Sequence, residues 1–199
     1  MFASVPPVTR ALILINIAVW LLEQLAPGPL VQWLALWPWA DPRFYPWQLL
    51  SYAFLHDPSS IAHIFFNMFA LFMFGGSLEL YWSARRLVMF YLVCALSGAV
   101  TQLVVQQLTG TGVPVIGASG AVFGILLAFA WYFPRQQLRV YFLIPMPAWL
   151  FVTLYGLAEL VFGVTGTEQG VAHFAHLGGM LGGALCILYW RLRRRFARR

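Results

Sequence analysis

Four side chains of this chain could do hydrolytic chemistry together: Ser119, His176, His63 and Asn67. Ser119 sits in "VIGASGAVFG", residues 115–124, with small residues on both sides. A serine hydroxyl is a weak nucleophile until an adjacent base takes its proton. Histidine is the side chain whose unperturbed titration range suits that task near neutral pH. His63 and Asn67 are four residues apart, so a helix presents them on one face, where they would add hydrogen-bond donors from a third helix. Each feature also has a plainer reading. "GASG" is a close-packing site for membrane helices, where small residues gather. His176 precedes the glycine-rich "LGGMLGG" and could simply bond to a neighbouring helix. His63 with Asn67 could be a polar clamp between helices. The catalytic reading depends on whether the fold brings the four to one place.

The elements that would do so are membrane spans. The chain has 199 residues, 61% hydrophobic and 9% charged, against about 25% charged in soluble domains. A span needs roughly 20 apolar residues. Six segments qualify: about 10–26, 61–82, 87–108, 119–134, 142–164 and 171–190. The expected fold is all-α, a single bundle over residues 1–199 with a short fourth helix. Residues 27–60 form a long loop rich in Trp and Pro, expected in the interface, where aromatic side chains prefer to lie. The N-terminus has no charged region followed by a cleavage site and does not read as a removable signal peptide. Cys94 and Cys186 lie in apolar segments and read as packing residues, with no disulfide framework implied.

Arginine supplies all twelve positive charges. Arg10, the Arg85–Arg86 pair, Arg135, Arg139 and the tail arginines 191, 193, 194, 195, 198 and 199 fall on one side of a six-span arrangement, and Arg43 falls on the other. The positive-inside rule then makes both termini cytoplasmic, as in a bacterial inner membrane. The basic tail 191–199 reads as an anchor against anionic lipid, and the net charge of +6 needs no nucleic-acid partner.

Depth links the candidate residues. At about 1.5 Å per residue, Ser119 lies about 24 Å above Arg135, and His176 about 22 Å above Arg191. With a hydrocarbon core of about 30 Å, the two come to nearly one level below the outer surface. Measured from Glu79 or Arg85, Asn67 lies about 18–27 Å up, which brackets that level. The segment "TGTGVPVIGA" feeding Ser119 must dip into the membrane. Irregular backbone is tolerated there only when protein buries it or a water-filled cavity meets it.

Other chemistries fit less well. His173 and His176 are three apart, but there is no His-Glu-x-x-His and no carboxylate spaced for a zinc hydrolase, so neither a metal nor any other cofactor is expected. An aspartyl mechanism needs two intramembrane aspartates, and the chain has only Asp41 and Asp57, both in the outer loop. A small transporter would show repeated halves with interrupted helices, which are absent.

In combination these motifs resemble the rhomboid intramembrane serine proteases over about residues 46–190: "GASG" at 117–120, "AHLGGMLGG" at 175–183, "HIFFN" at 63–67 and "GGSLE" at 75–79. The resemblance implies an endopeptidase that cuts single-pass transmembrane substrates near the outer face. Ser119 would be the nucleophile and His176 the general base of a dyad. The Ser119 N–H and the side chains of His63 and Asn67 would be the oxyanion donors. Gly117 and Gly120 would shape the loop and the helix start, Gly179 and Gly183 would allow close approach of spans four and six, and Glu79 would act structurally. Gln48 stands where the family often has Arg after Trp47. Phe123 stands where some members carry an aromatic hydroxyl, so it can pack on the imidazole but donates no hydrogen bond. Glu159 reads as a polar clamp or an interface-facing carboxylate, not as a catalytic group. The alternative function is a catalytically inactive rhomboid-like scaffold that binds transmembrane segments.

Overall fold

The computed structural model describes residues 5–110, 112–140, 143–166 and 171–196. Among these, the helices are α1 (Pro7–Leu25), α2 (Pro27–Leu34), α3 (Gln48–Ser51), α4 (Ile61–Ala70), α5 (Gly76–Trp82), α6 (Ala84–Thr109), α7 (Ser119–Tyr132), α8 (Ala148–Thr165) and α9 (His173–Phe196). The chain is an all-α membrane bundle with one small antiparallel hairpin, β1 (Gln137–Val140) and β2 (Ile144–Pro147). Four helical segments are long and apolar enough to cross a membrane: Pro7–Leu25, Ile61–Trp82, Ala84–Thr109 and Ala148–Thr165. Helix α7 is apolar but shorter, and α9 ends in arginines. The expected six crossings require α7 and α9 in addition to these four.

Large apolar side chains lie on the outside of the bundle, among them Leu21, Phe66, Leu108, Leu157 and Leu185. Such a surface is untenable in water and natural against lipid tails. The core centres on α7. Ten of its fourteen residues are buried, including Val122, Ile125 and Phe129. Helices α6 and α9 flank it, and small residues set their spacing. A Cβ at Gly179 would land on the Gly120 carbonyl oxygen, and one at Gly183 would lie 2.9 Å from the Phe90 ring. The backbones of α7 and α9 are therefore in direct contact.

Polar groups tie the ends. Helix α1 starts with Pro7, whose missing N–H would have had no partner in any case, and no side chain of its own caps it. Glu79 of α5 supplies the cap, accepting from the N–H groups of Val8 (2.9 Å) and Thr9 (2.7 Å) and from the Thr9 hydroxyl (2.8 Å). These are donors a helix start leaves unpaired. A π turn, Leu71–Gly75, joins α4 to α5 in one continuous segment.

Most helix ends lie within three residues of the expected spans. Two ends differ by six: α9 runs on to Phe196, and span five starts late. Its expected start, residue 142, lies outside the described residues, and the helix begins only at Ala148. The β1–β2 hairpin takes up the preceding chain, with Leu138 opposite Met146. Pro145 and Pro147 lack the N–H that continuing the helix upstream would need. The ends of the expected 1–199 domain, with Arg198 and Arg199 of the tail, lie outside the described residues as well.

Candidate active site

The segment before Ser119 does dip into the bundle, and its backbone is satisfied there. Leu36 and Val115 exchange two hydrogen bonds of 2.9 Å, and Gly117 N–H donates to the Tyr52 carbonyl at 3.0 Å. Protein partners thus bury irregular chain that lipid would not tolerate. Gly117 has φ +125°, a conformation only glycine adopts without strain. A Cβ there would also lie 2.8 Å from His63 Nε2.

Ser119 opens α7, so its N–H lies among the donors that a helix's first turn leaves unpaired. Its Oγ lies 2.7 Å from His176 Nε2, within hydrogen-bond distance. The two residues, expected at one depth on facing helices, are in contact. Phe123 stacks on the His176 ring at 4.3 Å between centroids and 6° between planes. That contact holds the imidazole flat against α7 and supplies no hydrogen bond.

An acid read from the sequence only as a clamp or an interface-facing group meets His176. Glu159 Oε2 on α8 lies 2.7 Å from His176 Nδ1 and 2.7 Å from His173 Nδ1. All three side chains are buried. A carboxylate only accepts, so an ionised Glu159 holds the proton of each ring on Nδ1. That leaves His176 Nε2 unprotonated and able to accept from Ser119. The sequence offered Glu159 as a clamp and left His173 outside the motif. The structure joins them both to His176. Helix α8 buries only Ala148, Val152 and Glu159, so Glu159 is its principal inward-facing polar group.

His63 lies beside the serine. The Asp57 N–H donates to its Nδ1 at 3.3 Å, which fixes the ring proton on Nε2, the atom facing Gly117. A Cβ on Gly117 would be 3.6 Å from Ser119 Oγ as well, so the His63 N–H and the serine hydroxyl flank one small space. Asn67 is buried on the same face of α4. Its amide donates to the His63 carbonyl at 2.9 Å, a bond within its own helix, and one N–H remains. His56 packs against His63, with ring centroids 5.0 Å apart. Burial, and next the neighbouring His63, push its pKa down to about 3, so it is neutral at pH 7. The Ser59 hydroxyl holds the Asp57 carboxyl below its usual range.

The outer loop is braced by a neutral amide. Gln48 is fully buried. Its Oε1 accepts from the N–H groups of Tyr45 (3.2 Å) and Trp37 (3.4 Å), and its Nε2 donates to the carbonyls of Arg43 (2.9 Å) and Trp33 (3.3 Å). Trp47 donates to the Trp33 carbonyl at 2.9 Å and stacks on Tyr45 at 4.4 Å.

The profile of the Rhomboid domain family matches residues 43–193. The chain is 32% identical over 142 residues to the mitochondrial Rhomboid protein 1 of Saccharomyces cerevisiae, covering 69% of this chain and 40% of that protein. It is 28% identical over 189 residues to the Rhomboid protease GlpG of Yersinia enterocolitica, covering 94% and 63%. It is 30% identical over 137 residues to the Rhomboid protease GluP of Bacillus subtilis, covering 69% and 24%. The chain thus spans less than half the length of the yeast relative and about a quarter of GluP. With a family match across most of its length, this multi-pass membrane protein belongs to the rhomboid family.

Proposed function

We propose that the protein is an intramembrane serine endopeptidase that cuts single-pass transmembrane substrates near the outer face of the membrane. The observation that carries this reading is the 2.7 Å contact between Ser119 Oγ and His176 Nε2 at the start of a buried helix. In the proposed reaction His176 Nε2 takes the hydroxyl proton as Oγ attacks the peptide carbonyl. Glu159, bonded to Nδ1, keeps the ring in the accepting tautomer and offsets the imidazolium charge, the part an acid plays in a triad. The proton then passes to the leaving amine, and a water repeats the sequence on the acyl-enzyme. The Ser119 N–H, His63 Nε2–H and the second amide proton of Asn67 are the proposed oxyanion donors. Substrate helices must unwind to expose a bond, so residues of low helix propensity should be favoured at the cut.

The arginine distribution supports cytoplasmic termini in a bacterial inner membrane, with tail arginines on anionic lipid. The test is labelling with a fluorophosphonate probe followed by cleavage of tagged single-span proteins in proteoliposomes. Labelling at Ser119 and cleavage are expected. Absence of both from folded protein returns the chain to the scaffold reading.

A further inference from the structure

Glu159, His173 and His176 converge from two helices. Glu159 Oε2, His173 Nδ1 and His176 Nδ1 all lie within 4.8 Å of one another, and the carboxylate oxygen is 2.7 Å from each nitrogen. Two imidazoles and one carboxylate form a common three-ligand set for Zn²⁺, with water as the fourth ligand. Zinc ligands at about 2.1 Å in tetrahedral geometry stand about 3.4 Å apart, so each oxygen–nitrogen distance must open by about 0.7 Å while the two nitrogens, within 4.8 Å of each other, close toward that spacing. Spacing along the chain shows the two histidines but not their carboxylate, which comes from a different helix. We propose that this cluster is an inhibitory binding site for a zinc-like divalent ion.

The inhibition follows from tautomer chemistry. A neutral imidazole that ligates through Nδ1 carries its proton on Nε2. Its proton moves from one ring nitrogen to the other, so ligation by a neutral ring releases no net proton. In His176 that tautomer donates toward Ser119 Oγ and cannot accept its proton. The ion therefore silences the base without touching the serine, and it occupies the carboxylate that would orient the ring. No ligand is shared with the oxyanion donors. The set suits borderline metals that take imidazole, while Mg²⁺ and Ca²⁺, which prefer oxygen ligands, should bind far more weakly.

The inhibitory consequence rests on the protease reading, whereas binding does not. The binding arm uses purified Ser119→Ala protein without a polyhistidine tag. Co²⁺ titration should give d–d absorption saturating at one equivalent, displaced by Zn²⁺ and not by Mg²⁺. Glu159→Gln and His173→Gln, each checked by a melting curve, should bind at least tenfold more weakly. The activity arm measures wild-type cleavage with and without ZnCl₂. A tenfold or greater fall, reversed by EDTA, is expected. His173→Gln, normalised to its own metal-free rate, should need at least tenfold more zinc. Failure of Ser119→Ala to bind one equivalent below 100 µM, or equal zinc sensitivity of His173→Gln and wild type, overturns the inference. Metal binding by a protein that shows no proteolysis would leave the site standing and remove the function proposed above.

Discussion

His176 Nδ1 and Glu159 Oε2 stand 2.7 Å apart across the α9–α8 contact, and this pair decides what the base can do. The carboxylate fixes which ring nitrogen is protonated, and so which one meets Ser119. Glu159→Gln keeps the shape but can present an amide N–H to Nδ1, forcing the wrong tautomer. Cleavage should fall on the order of 10²-fold or more, mainly in kcat, with little change in KM. His173→Ala should lose less, since His176 keeps its carboxylate. Steady-state kinetics with a melting curve for each variant checks this. Normal kcat in Glu159→Gln would reduce Glu159 to a clamp.

Ser119→Ala should abolish cleavage while leaving the melting temperature near that of the wild type. His176→Ala should be about as inactive, and the double variant no worse, because residues acting as a unit lose their effect together. Turnover above background in Ser119→Ala would remove the serine from its proposed role.

Asn67 separates two roles. Its one observed hydrogen bond runs to its own helix. If the remaining N–H serves the oxyanion, Asn67→Ala should slow single-turnover cleavage by about 10²–10³-fold at unchanged melting temperature. A smaller loss is expected if His63 and the Ser119 N–H compensate. A lowered melting temperature with normal turnover per folded molecule assigns Asn67 to helix packing.

Gly179→Ala should damage folding and catalysis together. Its new methyl meets the Gly120 carbonyl oxygen, so α9 must move away from α7 and carry His176 with it. Overpacking costs typically about 1–3 kcal/mol, and activity should fall further than the folded fraction. Thermal unfolding in detergent beside specific activity reads both.

Buried His56 gives a pH dependence. Its folded pKa is about 3, below the ordinary value of about 6.5. The unfolded chain therefore binds the proton more readily. Stability is full above about pH 6.5 and declines as pH falls toward 3. Between pH 6.5 and 5 the loss should be about 1–2 kcal/mol. His56→Gln, which does not titrate, should show a flatter melting profile over that range.

Much of the site was legible because depth along a helix is arithmetic. Ser119 and His176 each end a countable run from an arginine, and a rise per residue places both. The same ruler fails for Glu159, because α8 starts only at Ala148 and the chain before it is paired strand, which does not rise at the helical pitch. The hairpin at Gln137–Pro147 was missed for another reason. It lies in an apolar run that reads as continuous helix, and hydropathy alone does not distinguish short paired strands from a span's first turns. The facing direction of Glu159, and its sharing by two histidines, depend on how α8 rotates against α9, which no sequence spacing records.

The Gln48 brace has a consequence for salt. An arginine at that position would bring a formal charge into the outer loop, and its hold on the loop would vary with the ionic atmosphere. The four hydrogen bonds of Gln48 join neutral partners, and Gln48 itself is fully buried. Counter-ions, which weaken exposed charge pairs over a Debye length of about 8–10 Å, have nothing there to screen. The exposed Asp41–Arg43 pair at 2.7 Å is the part of the loop they reach. The outer loop around Gln48 should therefore keep its shape from fresh to saline surroundings, while its exposed rim responds.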